Sequence, residues 1–370
     1  MKKNARKPKL KITLALCALF LLSACSSLGE PRGEENPSAA PSAAKGDSDK
    51  LYIYNWGDYI DPALRARFED ETGIRVVYEE FDTNETLYAK LKPGNTSYDL
   101  IFPSDYMIEK MKKEDMLEKI DAGAIPNLKN ISPRFKNMDF DPDGEYGVVY
   151  LWGTVGILYN KDMVSEPVDS WNILWDDKYA GNIYMYDSQR DSFAVALRKL
   201  GYSINSTNLD ELTAAKEALI AQKPLVQAYL GDPVKDKMIG GEGALAVVFS
   251  GDAVFCMQEN PALSYAIPKE GSNIWFDAMC IPKGAKNKEN AEKFINFMCD
   301  PEVAAQNSEY IGFTTANEAA LQLLPQELKD NPAYTAESGA LDKCEVFSDL
   351  GPFIAEYDKA WTEVLASKRN

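Results

Sequence analysis

From Leu51 onward the chain alternates short apolar runs with helical stretches, and this alternation limits the fold more than any other feature. Leu51-Tyr52-Ile53-Tyr54 predicts a buried strand. Asp61 can cap a helix, and Pro62 suits its first position, where a missing N–H costs nothing. Leu64 and Phe68 then share one helix face, and Gly73 is the expected stop. Ile74 to Glu79 predicts a second strand. Asn84 can cap a short helix carrying Leu87 and Leu91, which ends at Pro93-Gly94. Leu100-Ile101-Phe102 is the third strand, and Ser104 opens a helix that runs to about Glu114. Strands separated by helix-length segments pair parallel, because the chain must cross back over the sheet before the next strand begins. The rhythm restarts later, with strands near Ile183–Tyr186, Leu225–Tyr229 and Ala244–Phe249. Helices near Phe193–Lys199, Leu209–Ala221 and Ala253–Glu259 alternate with them. Two α/β lobes follow, and such sheets bind ligands beyond the carboxyl ends of their strands.

What precedes Leu51 has another character. Lys2, Lys3, Arg6, Lys7, Lys9 and Lys11 come before an apolar run from Ile12 to Leu22. That run is too short to span a bilayer, which needs about 20 apolar residues. A basic head, a short apolar stretch and then small residues predict a signal peptide over residues 1–24. Leu22-Ser23-Ala24-Cys25 matches the lipobox, whose cysteine is lipidated and becomes the new first residue. The expected location is therefore outside the cytoplasm, anchored to the outer face of the cell membrane, or periplasmic where a second membrane exists. Residues 26–49, rich in Ser, Pro, Ala, Gly and Glu, bury almost nothing and predict a flexible tether from Cys25.

Composition then removes whole classes of function. The chain has no histidine, which excludes a Ser-His triad, a Cys-His dyad and the commonest metal ligand. Loss of residues 1–24 leaves 34 basic residues (40 less 6) against 57 acidic ones, a net charge of −23. Nucleic acid is a poor partner for such a surface, since phosphate binding needs positive patches. Cys256, Cys280, Cys299 and Cys344 are not spaced as a zinc or redox motif, so free buried thiols are expected, with one disulfide left open. No metal and no cofactor are expected.

Aromatic and acidic residues recur where strands become loops: Trp56-Gly57-Asp58-Tyr59, Pro103-Ser104-Asp105-Tyr106, Phe249-Ser250-Gly251-Asp252 and Trp275-Phe276-Asp277. Between them lies Asp187-Ser188-Gln189-Arg190-Asp191, leading into a helix. Singly, each tryptophan reads equally as core, and Asp191 and Asp252 as helix caps. Together they suit an organic ammonium. A buried amine needs a carboxylate partner, because desolvating it alone costs several kcal/mol. An aromatic face adds about 0.5–2 kcal/mol of cation–π attraction. Aromatic walls also bury the methylenes between amines, at about 0.8 kcal/mol each. A linear polyamine, with charges and methylenes alternating, has this chemistry.

Extended runs carry a family resemblance: Tyr54-Asn55-Trp56, Thr72-Gly73-Ile74, Asn84-Glu85-Thr86, Tyr88-Ala89-Lys90-Leu91, Tyr98-Asp99-Leu100 and Ala196-Leu197-Arg198-Lys199-Leu200-Gly201-Tyr202. Ile267-Pro268-Lys269-Glu270-Gly271 and Ala285-Lys286-Asn287-Lys288 add to it. Over nearly all of residues 50–370 the chain resembles the spermidine/putrescine-binding lipoproteins of ABC-type importers. The resemblance implies a two-lobed periplasmic-binding-protein-like fold with the ligand in the cleft. One lobe would comprise residues 50–153 and 277–321, the other 154–276 and 322–370. Trp56 and Tyr59 match the family's first aromatic pair, Ser104 and Tyr106 its second loop, and Asp191 an acidic position that pairs with an amine. Trp275 and Asp277 match the aromatic and carboxylate that grip another amine.

Several positions depart from the spermidine-preferring pattern. Ser188 stands where those members have a further carboxylate, Phe249 replaces a frequent Trp, and Phe313 replaces a frequent Tyr. Apolar Phe347 falls where the family has a glutamine. Asp58 and Asp252 match the putrescine-preferring type. The resemblance thus implies polyamine capture without chemistry by a monomer that docks on an ABC permease, and leaves the preferred polyamine open. The competing readings are a receptor for another cation such as thiamine or a metal complex, a sensor or adhesin, and an exported hydrolase using a carboxylate pair.

Overall fold

The computed structural model describes residues 49–94, 97–336 and 339–368. The predicted signal peptide, Cys25 and nearly all of the tether lie outside the described residues. The strands are β1 (Lys50–Trp56), β2 (Arg75–Phe81), β3 (Leu100–Ile101), β4 (Leu117–Glu118), β5 (Gly147–Asn160), β6 (Ile183–Tyr186), β7 (Val226–Leu230), β8 (Leu245–Phe249), β9 (Leu263–Ala266), β10 (Ile274–Pro282) and β11 (Thr314–Thr315). The helices of the first half are α1 (Pro62–Thr72), α2 (Asn84–Leu91) and α3 (Asp105–Lys113). Next come α4 (Gln189–Lys199), α5 (Leu209–Gln222), α6 (Val234–Ile239) and α7 (Ser250–Glu259). The chain ends with α8 (Lys288–Met298), α9 (Pro301–Ile311), α10 (Glu318–Leu323), α11 (Gln326–Lys329) and α12 (Ile354–Ala366).

Local chemistry accounts for the first helices. The Asp61 carboxylate accepts from Ala63 N–H, Pro62 takes the first helical position, and Gly73 ends α1 in the left-handed region at φ 70°. Leu64 and Phe68 are fully buried on its inner face. One expectation shifts by a residue. Thr83, not Asn84, caps α2 by accepting from Thr86 N–H, and the buried Asn84 side chain reaches towards the third loop instead. Asp191 and Asp252 are not caps either. Ser188 and Phe249 hold those positions, so each aspartate stands in the first turn of its helix.

The strands join in the order β2-β1-β3-β10-β5-β8-β6-β7, with β4 beside β10 and both β9 and β11 beside β5. The expected parallel pairing holds within each half: β1 is parallel to β2 and β3, and β6 to β7 and β8. Between the halves run two antiparallel strands. β5 faces β10 over Gly147–Thr154 and turns to β8 over Val155–Tyr159, so one 14-residue strand serves both sides. Nearly every residue of β5 and all nine of β10 are buried. A strand buried on both faces shows no alternation of apolar and polar residues, and periodicity alone does not reveal it.

The core follows the same division. One cluster packs Phe68, Phe102 and Phe294 around β1, β3 and the first part of β5. Another packs Trp171, Phe193 and Tyr357 beneath the second half. A third gathers Tyr184, Val248, Tyr265 and Tyr334 behind β8 and β9. Each fully buried side chain of this size contributes about 1.5–3 kcal/mol by leaving water. The result is a two-lobed α/β fold in which the carboxyl ends of β1, β3, β6 and β8 carry the predicted binding loops. Cys256, Cys280 and Cys299 are buried free thiols, and Cys344 is a half-buried one.

Candidate functional site

The loop after β1 and the middle of β10 meet at a hydrogen bond between residues 218 apart in sequence. The Tyr59 hydroxyl donates to Asp277 Oδ2 at 2.5 Å. Ser104 bridges the Asp277 backbone, and Ala278 N–H donates to Pro103 O at 3.1 Å, which seats the third loop on β10. Asp277 is buried, and its Oδ1 atom has no hydrogen-bond partner. Burial pushes its carboxyl up to about 6, although the Ser104 and Tyr59 hydroxyls hold it down. Burial, then the Asp277 charge, drives the Tyr59 phenol well above its usual range, so Tyr59 remains a donor.

Aromatic rings run from this carboxylate into the other half of the molecule. Tyr59 meets Phe313 edge-on at 5.9 Å, Phe313 meets Trp275 at 5.0 Å, Trp275 meets Phe249 at 6.0 Å, and Phe249 meets Tyr186 at 4.9 Å. Edge-to-face contacts of this kind are favourable and hold each ring at a set tilt. Two glycines make the room. A Cβ on Gly153 would stand 2.6 Å from the Trp275 ring, and one on Gly251 would stand 2.3 Å from that of Phe313. Trp275 Nε1 is buried without a partner.

The second half contributes the acidic end. Ser188 caps α4 by accepting from Asp191 N–H at 3.4 Å. Asp191 is buried, its Oδ1 has no partner, and burial raises its carboxyl against the Ser188 hydrogen bond and the Arg190 charge. Asp252 lies beside Lys235 of α6, with Nζ 3.4 Å from Oδ1. Burial lifts the Asp252 carboxyl to about 6, and Lys235 opposes the rise. Asp191 and Asp252 both act on the Tyr186 hydroxyl, which burial raises first.

Twelve positions were expected to form the site, and most gather along this path. Ser104, Asp277, Tyr59, Phe313, Trp275 and Phe249 follow one another in a chain of pairwise contacts. Asp191 and Asp252 act on Tyr186 at its far end, and Ser188 caps the helix that carries Asp191. Trp56 is half-buried, packs on Phe81 at 4.5 Å and donates from Nε1 to Phe102 O at 2.8 Å. Tyr106 is bound through its hydroxyl to Asn84 and Glu85, and its ring packs with Ala194, Ile204 and Phe347 of the other half. Asp58 does not join them. It is exposed in a left-handed turn at φ 50°, and its charge acts on Tyr78 instead.

Other residues lie along the same path without having been among the twelve expected. Asp105 is buried at the start of α3 and accepts from Phe276 N–H at 3.0 Å and Tyr106 N–H at 2.7 Å, tying the third loop to β10. Burial pushes its carboxyl up to about 8 against those two amide donors, and the Asp277 charge adds to the rise. Tyr186 ends β6 and closes the run of rings. Arg190 lies over the Phe347 ring at 4.2 Å and donates to Ser348 O and Asn205 Oδ1. Asp105 stood within the strand-end cluster Pro103-Ser104-Asp105-Tyr106 but was given no contact of its own, since a dipole reading suffices for an acid in a helix's first turn.

Comparison with known proteins places this arrangement. The family described as "Bacterial extracellular solute-binding protein" matches residues 63–336. The spermidine/putrescine-binding periplasmic protein of Salmonella typhimurium LT2 is 39% identical over 329 residues, covering 88% of this chain and 94% of that protein. The putrescine-binding periplasmic protein PotF of Escherichia coli K12 is 33% identical, covering 86% and 92%. A solved structure of a putative spermidine/putrescine ABC transporter from Listeria monocytogenes superposes with a TM-score of 0.82 at 44% identity, covering 86% of this chain and 100% of that one. The substrate-binding protein PotD of Streptococcus pneumoniae gives 0.79 at 42% identity, covering 87% and 100%. These are transport and binding proteins rather than enzymes, and among the described residues no helix is long and apolar enough to cross a membrane. The chain belongs to the bacterial extracellular solute-binding proteins.

Proposed function

We propose that this protein captures a polyamine, putrescine or spermidine, in the cleft between its lobes and delivers it to the permease of an ABC importer. One observation carries the reading: Asp277 and Asp191 each bury a carboxylate oxygen with no donor, and aromatic rings link them. An orphaned buried acceptor costs about 1–3 kcal/mol, and more when charged. A ligand ammonium at each carboxylate relieves that cost, and the rings enclose the methylenes between. The names of the relatives point the same way. Asp58 stands apart from the ring contacts and has no part in this reading.

The lobes are residues 50–153 with 277–321, and 154–276 with 322–370. Supporting this division, β5 changes partner between Thr154 and Val155. The two largest core clusters also divide near the same point. A ligand held by Asp277 on one side and Asp191 on the other favours the closed state, because only that state offers both contacts. Micromolar binding corresponds to about −8 kcal/mol, which two paired ammoniums and a few buried methylenes supply after ordering costs. No covalent step is involved. The protein works as a monomer outside the cytoplasm, tethered through lipid on Cys25.

The experiment is a thermal-shift series with putrescine, cadaverine, spermidine and spermine on the purified protein. Ser188 and the Lys235-paired Asp252 lead us to expect that putrescine stabilises at least as well as spermidine. No shift with any of the four overturns the polyamine reading. For the anchor, Cys25→Ala should move the protein from the membrane to the soluble fraction of fractionated cells.

A further inference from the structure

Asp252 was expected to bind a ligand amine, yet it already has one. Lys235 brings a primary ammonium to 3.4 Å from Oδ1, with the lysine side chain 29% exposed and that of Asp252 only 14%. The pair stands at the end of the same aromatic path, since Asp252 follows Phe249 by three residues and acts on the Tyr186 hydroxyl together with Asp191. Chemically, Lys235 is the same group as the end of a linear polyamine: an ammonium on a methylene stem. A tethered ammonium also competes at high effective concentration, in the millimolar range for short links.

The carboxylates then separate into two kinds. Asp277 and Asp191 each retain an orphaned buried oxygen, whereas Asp252 is charge-paired. Two unpaired carboxylates match two ammoniums, and a third ligand ammonium would have to displace Lys235. The separation of 3.4 Å is longer than the 2.7–2.9 Å typical of a charged hydrogen bond, so the pair is held less tightly than such a bond would hold it. Asp232, just before α6, lies close enough to act on both Lys235 and Asp252, and could receive the displaced ammonium.

We propose that Lys235 is a built-in ammonium that fills the Asp252 subsite and biases the cleft towards diamines over triamines. The proposal rests on the polyamine reading and adds the residue that sets ligand length. Lys235→Met keeps the stem and removes the charge, exposing Asp252 to a third ligand amine. Lys235→Gln does the same while still offering Asp252 a hydrogen bond, and so serves if the Met variant folds poorly.

Calorimetric titration of putrescine and spermidine into each protein, with melts to verify folding, tests it. The spermidine-to-putrescine affinity ratio should rise roughly tenfold in Lys235→Met or Lys235→Gln. It should stay near the wild-type ratio in Lys235→Arg, and the gain should vanish in the double variant Lys235→Met with Asp252→Asn. A ratio raised by less than about threefold in both single variants overturns the proposal. So does a gain that survives loss of Asp252, which would show that Asp252 is not the subsite. Wild-type protein that binds neither polyamine overturns the functional reading itself, a different result from an unchanged ratio.

Discussion

Replacement of Asp277 by Asn should lower affinity for ligand and raise the stability of the ligand-free protein. Asn is nearly isosteric, and its carbonyl can still accept from Tyr59. It cannot neutralise an ammonium. A hydrogen bond to a charged group contributes about 1.5–3 kcal/mol against about 0.5–1.5 for a neutral one, and the desolvated ammonium loses its counter-charge as well. With the Trp275 face still in place, we expect a net loss of about 2–3 kcal/mol, or roughly 30- to 150-fold in affinity. Stability moves the other way. Burial pushes the folded carboxyl up to about 6, above the ordinary aspartate range, so the fold prefers its neutral form. The unfolded chain releases this proton at lower pH, so stability present below about pH 4 is lost as pH rises to about 6. At neutral pH that penalty is on the order of 3 kcal/mol, and Asn removes it. Calorimetry with putrescine and spermidine measures the first effect, and urea unfolding without ligand measures the second. Affinity within about threefold of wild type for both polyamines would refute the site. A parallel fall in affinity and stability would mean that Asp277 serves the fold instead.

Three further expectations follow from particular contacts. Burial raises Asp105 to about 8 and Asp252 to about 6, so ligand-free stability should fall steadily from about pH 4 to pH 8. Urea midpoints taken across that range check this. Gly251→Ala places a methyl against the Phe313 ring, so the ring must leave Trp275, and titration should show affinity reduced by about tenfold. Glu345 accepts from Arg198 at 2.5 Å, Ser203 at 2.6 Å and Ile204 N–H at 3.1 Å, fastening the segment that precedes α12 to α4 and the loop after it. Glu345→Ala should cost about 1.5–3 kcal/mol in urea unfolding.

Much of the frame was legible because its signals are local. Asp61, Pro62 and Gly73 bound α1 through backbone rules that act within a few residues, and the structure keeps all three roles. The run of rings and carboxylates was legible as recurrence at strand ends, although Asp58 shared the pattern and stands apart. Asp105 and Tyr186 were not assigned to the site because a helix's first turn and a strand's last residue offer bland explanations for an acid and an aromatic. β5 escaped because burial on both faces erases alternation.

The sequence by itself determined the α/β alternation, the exclusion of histidine chemistry and the acidic, aromatic character of the strand ends. Residue identity and short-range spacing suffice for each. Only the tertiary structure decided which carboxylates are free. Asp277 meets a tyrosine 218 residues away and keeps one oxygen unpaired, whereas Asp252 meets Lys235. Such partnerships depend on how distant elements pack, and burial magnifies the difference, because an unpaired charge costs far more there than at the surface.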